Sequence, residues 1–527
     1  MTDSISPAAL KAMMESEAPY AVIDVREPME FNADQIHLTT SLPRGWLEFR
    51  ILGLVPVKNT PLVVVDGGEG RGARVAETLE RHGYKGVRVL AGGLPGWKEA
   101  GFSTVSGTNV PSKEFGEEVL HEDKIPEIEV EALHALIEGK GPLRIFDART
   151  ENEYERFAIP TGVSLPGGEL ILHAWDMDQD HETPLIINCA GRTRSIIGAG
   201  GLHRLGVKHA RALRNGGMGF ILAGLPLARG EVSEVPRPSE KSRAHGEALA
   251  KKLADEEGIP AVSVDELAVF QEKSEANTLY VLDVRLAPEF GQGHIAGAIS
   301  IPGGQAVQRT DEVAAVRAGK FVTYCDSNAR ATMVAYWLRR MGLKDVSFLS
   351  GGLAAWEAAG MPVEVSGVLA DGESPSTGGG PLGLEAAQGS VLGLSPKEAK
   401  ALDGATVIDL DVSPGFRAAH IVGSRWLLRA SLEERIEALC PNKSGPILLV
   451  CGDGTRSALS AWALADMGYG GAVYLNGGKR AWREAGLALE EGDSGFEGPV
   501  IDVALKPYDI GTGAMQEYLD WEENLGK

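Results

Sequence analysis

One spacing recurs four times in this chain of 527 residues and constrains its fold more than any other feature. In each copy an apolar run ends in an aspartate, and a loop position follows 42 residues later: Asp24 to Asp66, Asp147 to Cys189, Asp283 to Cys325 and Asp409 to Cys451. A glycine pair comes after each loop, as Gly92-Gly93, Gly216-Gly217, Gly351-Gly352 and Gly477-Gly478. This regularity predicts four copies of one structural unit.

The order of elements within a copy predicts an α/β fold. In the second copy, strand-like runs alternate with helical segments, with strands around Ile145-Phe146, Thr183 to Asn188 and Ala210 to Leu213, and helices near Glu151, Arg194 and Gly217. Such alternation favours a parallel sheet covered by helices on both faces. The predicted domains are residues 1–106, 125–232, 257–366 and 390–491, followed by a tail, 492–527.

Composition changes predict the segments between the copies. Residues around 107–124 are mixed and polar, and residues around 233–256 are charged and compatible with a helix. The stretch Gly367 to Gly383 is rich in glycine, proline and serine and predicts a flexible linker. The aromatic and apolar residues of the tail predict a helix docked on the body of the protein.

Charge excludes several classes of partner. The chain has 51 lysines and arginines against 73 aspartates and glutamates, a formal net charge of −22. Nucleic acids and anionic membranes require a basic face, so neither is expected as a partner. No run of about 18 apolar residues could span a bilayer, and the first twenty residues do not resemble a signal peptide. We therefore expect a cytoplasmic protein.

The chain has four cysteines, too few for a disulfide framework in so long a sequence, and none is spaced as C-x-x-C. No metal site is expected for the same reason. Three of them, Cys189, Cys325 and Cys451, share one position of the repeat. The fourth, Cys440, ends a helical pattern that begins at Leu432, and this pattern predicts a structural residue facing a core.

The stretch around Cys189 predicts a nucleophile. Cys189 follows the apolar run Pro184 to Ile187 and precedes a helical pattern, so the thiol lies where a strand ends and a helix begins. Backbone N–H groups at such a turn and the helix N-terminus favour an anion, and Arg192 and Arg194 favour the thiolate further. A buried structural cysteine is the alternative. Recurrence of the loop in the third and fourth copies favours the nucleophile.

The combined motifs resemble the rhodanese domain. They comprise Asp147-Ala148-Arg149 and Asp283-Val284-Arg285, the segment Glu289 to Pro302, the cysteine loops and the glycine pairs. The resemblance implies four tandem rhodanese-like domains, each a five-stranded parallel sheet with helices on both faces. It also implies a sulfurtransferase that works through a covalent cysteine persulfide and no other cofactor.

Loop length separates this family from the phosphatases related to it, which have an arginine six positions after the cysteine. Here the arginine comes five positions later, as Arg194, Arg330 and Arg456. The shorter loop favours a sulfur atom over a phosphate, and it disfavours phosphatase and arsenate reductase activities. The closing arginine can alternatively tie the loop to a carboxylate such as Glu153 or Glu289.

The resemblance implies a reaction in two halves. The thiolate attacks the outer sulfur of thiosulfate or a related sulfane-sulfur donor, sulfite leaves, and cyanide, a small thiol or a protein cysteine then accepts the sulfur. The catalytic residues are Cys189, Cys325 and Cys451. The predicted substrate-binding residues are Arg149, Ala190, Gly191, Arg192, Thr193, Arg194 and Arg285, although Arg192 could instead lie in solvent.

The four copies differ at the cysteine position and at the charged residues around it. Asp66 replaces the cysteine of the first copy and predicts an inactive domain. Cys189 has the most complete set of arginines, which predicts that it is the main persulfide carrier. Asp326 should raise the pKa of Cys325 by repulsion. In the fourth copy Asp411 replaces the arginine, and Asp453 adds negative charge. A scaffold that stores sulfur or binds partners is the alternative function, and a monomer built from two pairs of domains is plausible by analogy with two-domain members of the family.

Overall fold

The computed structural model describes residues 3–229, 235–274, 277–366 and 380–526. These form two compact units, each of which combines two copies of the repeat. One unit contains Tyr20–Gly107 and Gly379–Ala504, and the other contains Thr108–Gly378 and Leu505–Lys527. The first copy therefore pairs with the fourth, and the second with the third. Most of the predicted flexible linker, 367–379, lies outside the described residues.

Each copy contains the predicted five-stranded parallel sheet. Numbered along each copy, the strands lie side by side in the order 1-5-4-2-3, so the fourth strand is central and precedes the loop. The strands are Asp3–Ile5, Tyr20–Asp24, Thr40–Ser41, Leu62–Val65 and Val87–Leu90; Glu127–Ile128, Arg144–Asp147, Val163–Ser164, Leu185–Asn188 and Ala210–Leu213; Ala261–Val262, Leu279–Asp283, Ile299–Ser300, Lys320–Tyr324 and Val346–Leu349; and Gly393–Leu394, Thr406–Asp409, Arg425–Trp426, Ile447–Val450 and Ala472–Leu475.

Helices cover the sheets, as the alternation of elements predicted. Within the copies they are Pro7–Met14, Pro28–Ala33, Leu47–Leu54, Arg71–Arg81 and Gly93–Glu99; Val130–Glu138, Glu151–Arg156, Leu170–Met177, Thr193–Arg204 and Gly216–Leu222; Val264–Glu272, Ala287–Gln292, Gly303–Gln308, Thr310–Val313, Ala329–Arg340 and Gly352–Ala358; and Pro396–Lys400, Ser413–Ala418, Leu432–Leu439, Thr455–Asp466 and Gly478–Glu484. Short 3-10 turns lie at Arg44–Trp46, Gly167–Glu169 and Arg429–Ser431.

The sequence explains why the central strands are buried and where several of the helices begin. The central strands of the first and fourth copies, Leu62–Val65 and Ile447–Val450, are continuous apolar runs, and every residue of both is buried because helices cover both faces of the sheet. Helices begin at reciprocal capping boxes, for example Thr150 with Glu153 and Ser263 with Glu266. Small strand pairs, His294–Ile295 with Val363–Glu364 and His420–Ile421 with Leu489–Glu490, close the third and fourth copies.

Five further helices lie between or after the copies: Val110–Glu122, Glu240–Glu257, Leu384–Ser390, Pro507–Ile510 and Thr512–Leu525. The first occupies a segment that the sequence analysis treated as a polar linker, and it buries Phe115 and Val119. The second confirms the helix suggested by the charged stretch. The last confirms the docked tail helix, whose Met515 and Leu519 pack against Met218 of the second copy.

Two further expectations from the sequence concern Cys440 and membrane-spanning segments. Cys440 follows the helix Leu432–Leu439 and is buried in the core of the fourth copy, as predicted for a structural residue. Across the described ranges, every helix is too short or too polar to cross a bilayer.

Candidate active site

The three loop cysteines lie at the carboxyl ends of central strands. Cys189, Cys325 and Cys451 directly follow Leu185–Asn188, Lys320–Tyr324 and Ile447–Val450, and helices begin four residues after each cysteine. All three side chains are buried. Ligands of open parallel sheets bind at this edge, where strand ends meet helix N-termini.

The glycine pair closes the loop by close backbone packing. A Cβ on Gly352 would lie 2.4 Å from the carbonyl oxygen of Cys325, and one on Gly478 would lie 2.4 Å from that of Cys451. In the second copy the corresponding glycine is Gly216, which has Asn215 before it in the left-handed region. The structural counterpart of the pair is thus Asn215-Gly216 rather than Gly216-Gly217. This one-residue shift puts Phe220 where the other copies have tryptophan.

The loop of the fourth copy directs hydrogen-bond donors at its sulfur. The backbone N–H groups of Gly454 and Ser457 lie 3.2 and 3.4 Å from Cys451 Sγ, and the Ser457 hydroxyl lies 3.5 Å away. Burial raises the pKa of the Cys451 thiol, Asp453 at 3.7 Å from the sulfur adds to that rise, and the hydrogen bonds from Ser457 oppose it. The geometry suits a thiolate, or a charged sulfur carried on it.

Cys189 has a different set of contacts. Its Sγ donates a weak hydrogen bond to the Ser195 hydroxyl at 3.6 Å, and that hydroxyl donates to the Arg192 carbonyl oxygen at 2.6 Å. The carbonyl of Ala190 accepts from the Met218 N–H. Ser195 and Ser457 each come six residues after a cysteine, so the two copies place a hydroxyl at the same point of the loop.

The surroundings of Cys325 disfavour its thiolate. Burial raises the pKa of this thiol to about 12, an effect that Arg330 opposes and Asp326 reinforces. The direction predicted for Asp326 is confirmed, but burial is the larger cause. Asp326 is itself paired, with Arg330 at 2.8 Å and with Arg243 at 2.7 Å.

In each Asp-x-Arg motif the arginine donates hydrogen bonds to the aspartate of the same motif. In Arg149, Nε and Nη2 donate to the Asp147 carboxylate at 2.9 and 2.7 Å, and Nη1 is buried without a hydrogen-bond partner. Arg285 binds Asp283 in the same way. Arg26 binds Asp24 likewise in the first copy, which lacks the cysteine. Most of this arginine is therefore committed to the fold, and in Arg149 it is Nη1 that remains for an anion.

The closing arginines form the carboxylate pairs that the sequence suggested. Arg194 binds Glu153 at 2.5 and 2.8 Å, and Arg330 binds Glu289 at 2.7 and 2.8 Å. In the fourth copy Gly415 replaces this glutamate. The guanidinium of Arg456 instead lies over the Trp46 ring, 4.5 Å from its centroid.

Arg192 is neither in solvent nor free for substrate. It is buried, its Nε and Nη2 donate to both oxygens of Glu117 at 2.6 and 2.9 Å, and its Nη1 lies 3.3 Å from Glu127 and 3.2 Å from Glu523. An anionic substrate would have to break one of these ion pairs to reach it. The sequence suggested that Arg192 binds substrate or lies in solvent, whereas the ion pairs give it a structural role.

The fourth copy lacks the arginine of the Asp-x-Arg motif, but a lysine that the sequence did not reveal lies at this place. Lys479 directly follows the glycine pair, and its Nζ lies 2.9 Å from Asp411 and 3.2 Å from Asp409. Burial raises the pKa of Asp409 to about 6, and Lys479 opposes that rise. A cation is therefore present although Asp411 replaces the arginine. The other copies have Leu94, Gly217 and Leu353 at this position, so only a comparison of the copies there would have revealed the lysine.

Two glutamates from outside the copies also enter the loops. Glu522 of the tail helix accepts from Thr193, and Glu247 of Glu240–Glu257 accepts from Ser327 and Ala329. A Cβ on Gly191 would lie 3.2 Å from Glu522 Oε2. Nothing in the local sequence of either helix indicates these contacts. Within the described residues, no group of three or more His, Cys, Asp or Glu side chains could hold a metal ion.

A buried cysteine in an anion-binding loop, set at the end of a central parallel strand, defines a class of cysteine-dependent group-transfer domains. A family model described as Rhodanese-like domain matches residues 6–100, 129–222, 263–359 and 395–485. The chain belongs to the rhodanese family and contains four such domains.

Similar proteins include both multi-domain and short members. The crystal structure of thiosulfate sulfurtransferase from Pseudomonas aeruginosa is 35% identical, with a TM-score of 0.89, over 99% of this chain and 97% of that one. Thiosulfate sulfurtransferase GlpE of Pseudomonas putida is 33% identical over 86 residues, 16% of this chain and 76% of that protein. Uncharacterized protein slr1261 of Synechocystis is 33% identical over 108 residues, 20% of this chain, and the match spans 59% of that protein.

Proposed function

We propose that this sulfurtransferase takes sulfane sulfur from thiosulfate and carries it as a cysteine persulfide to cyanide or a thiol. The observation that carries the proposal is the pair of backbone N–H groups, from Gly454 and Ser457, directed at Cys451 Sγ. Donors fixed in this way stabilise negative charge on sulfur without reorganising during the reaction. The names of the Pseudomonas aeruginosa and Pseudomonas putida proteins support thiosulfate as the donor.

The reaction requires only the cysteine. The thiolate of Cys451 attacks the outer sulfur of thiosulfate, a new S–S bond forms, and the S–S bond of thiosulfate breaks as sulfite leaves with the electron pair. A thiolate or cyanide then attacks the outer sulfur of the persulfide, which returns Cys451 as a thiolate. The loop N–H groups hold the charge in both states, and we propose no cofactor beyond the covalent persulfide.

Cys451 is the strongest candidate for reaction with a small anionic donor. The pKa of Cys325 is raised to about 12, so its thiolate is scarce at neutral pH. The loop of Cys189 already holds the Glu522 carboxylate. The arginines near Cys189 favour that residue from sequence, but the sequence does not reveal this carboxylate. Lys479 also offsets the negative charge of Asp411, the residue that replaces the arginine in the fourth copy.

The test is thiosulfate-to-cyanide turnover of the full chain and of Cys189→Ser, Cys325→Ser and Cys451→Ser, with intact mass measured after thiosulfate alone. We expect Cys451→Ser to lose at least about tenfold in turnover and the added sulfur with it. Cys440→Ser is the matched control and should keep both. Full turnover in Cys451→Ser would contradict the assignment to this loop. If the wild-type chain gained no sulfur, the scaffold function would replace the enzymatic one.

A further inference from the structure

Glu522 is held in the loop of Cys189 although it lies far away in sequence. It belongs to the helix Thr512–Leu525 and is fully buried. Its Oε1 accepts the backbone N–H of Thr193 at 3.2 Å and also the Thr193 hydroxyl. Its Oε2 has no hydrogen-bond partner and faces the loop near Gly191. A buried carboxylate thus occupies a backbone donor that an anionic substrate would use.

The helix that bears Glu522 is fixed to the second copy on both sides of this residue. Met515 and Leu519 pack against Met218, and the neighbouring Glu523 forms ion pairs with Arg192 and Arg214. The cation nearest to Glu522 is buried Lys113, whose Nζ lies 3.9 Å from Oε1. Because that contact is long and reaches only one oxygen, Lys113 offsets little of the charge that the carboxylate brings to the loop.

The third copy repeats the arrangement with an unrelated helix. Glu247 Oε1 accepts the backbone N–H of Ala329 at 3.2 Å and also the Ser327 hydroxyl. Thr193 and Ala329 each come four residues after their cysteine, so two helices from outside the copies place a carboxylate on the same donor. In the fourth copy, the N–H at this position, from Thr455, donates to Asp453 of the same loop, at the surface.

We propose that Glu522 and Glu247 determine donor specificity, because they keep small anionic donors such as thiosulfate away from Cys189 and Cys325. The inference rests on the proposed function for its substrate, but anion exclusion can be measured without sulfur transfer. The carboxylates compete for the loop N–H groups and repel an anion that approaches the sulfur. Thiosulfate is thereby directed to Cys451. The carboxylate on the equivalent N–H there is Asp453 of the loop itself, 3.7 Å from the sulfur, and because Asp453 is exposed its charge is screened by water and salt.

The test uses the full chain with Cys189 as its single cysteine, obtained by changing Cys325, Cys440 and Cys451 to Ser. Glu522→Gln is compared with Glu517→Gln, a matched change at an exposed position of the same helix. Rates of alkylation by anionic iodoacetate and neutral iodoacetamide are read by intact mass. We expect Glu522→Gln to raise the iodoacetate rate about tenfold relative to the iodoacetamide rate, and to allow sulfur uptake from thiosulfate. Glu517→Gln should change neither.

Equal acceleration of both reagents would overturn the proposal, because it would indicate a loosened helix rather than a removed charge. An unchanged ratio would also overturn it. If the wild-type chain, measured alongside, gains no sulfur from thiosulfate but the ratio rises, the proposed function fails and anion exclusion stands. The third copy provides an independent pair, Glu247→Gln against exposed Glu240→Gln with Cys325 as the single cysteine, should Glu522→Gln not fold.

Discussion

The Asp66 carboxylate accepts the backbone N–H of Gly72 at 2.8 Å, six residues further along the chain. In the fourth copy the Cys451 sulfur accepts the N–H of Ser457 from the same relative position. Asp66 also accepts the Gly68 N–H at 2.9 Å. The first copy therefore keeps the anion-binding loop and fills it with a carboxylate where the other copies have sulfur.

Restoring a thiol to this loop should restore sulfur binding. We expect Asp66→Cys, placed in a chain whose other four cysteines are serines, to gain one sulfur from thiosulfate, because Gly68 and Gly72 would donate to the new sulfur. Intact mass after thiosulfate provides the measurement, and Asp66→Ser is the control. A thiol that reacts with iodoacetamide but never gains sulfur would show that the donors of this loop are insufficient.

Arg192 should contribute to stability rather than to turnover. Removal of its side chain leaves buried Glu117 without its bidentate partner, so Arg192→Ala should lower the free energy of unfolding by about 3–5 kcal/mol. Arg192→Lys should recover little, since an ammonium cannot make the paired contact. Denaturant unfolding measures both, against Arg211→Ala at an exposed position. A change below about 0.5 kcal/mol, the usual range for surface positions, would contradict the structural role.

Features set by the repeat could be predicted from sequence. The strand ends, the buried cysteines and the pairing of Arg194 with Glu153 all follow from spacings kept in several copies. The glycine marker of the second copy was misplaced by one residue because Asn215 adopts the left-handed conformation that glycine has elsewhere. A literal Gly-Gly match in the sequence therefore selected the wrong pair.

Features set by packing between distant segments could not be predicted. Glu117, Glu247 and Glu522 lie on helices outside the repeats, and their partners are 75 or more residues away along the chain. Their positions depend on how each helix packs on a copy, which no local periodicity encodes. The helix Val110–Glu122 was missed because its buried apolar residues alternate irregularly with charges.

The stability of the unit that contains the first and fourth copies should fall as pH rises towards 8. Burial raises the pKa of Glu27 from 4.5 to about 8, opposed by Arg71. Between these values the folded state keeps a proton that the unfolded state has lost, so rising pH favours unfolding. Glu27→Gln should remove this part of the slope. Thermal unfolding from pH 5 to 8.5 measures it, with exposed Glu77→Gln as control; equal slopes for Glu27→Gln and wild type would contradict the prediction.

Cys325 should react only as its thiolate becomes available at high pH. Because burial raises the pKa of this thiol to about 12, with Arg330 opposing and Asp326 reinforcing the shift, its alkylation by iodoacetamide should rise about tenfold per pH unit between pH 8 and 10. A chain with Cys325 as the single cysteine provides the measurement. Asp326→Asn should speed the reaction at pH 8 by removing a nearby negative charge, whereas Glu357→Gln, at an exposed position of the same copy, should not. A plateau in the rate below pH 10 would show that the thiolate forms more readily than the buried loop implies.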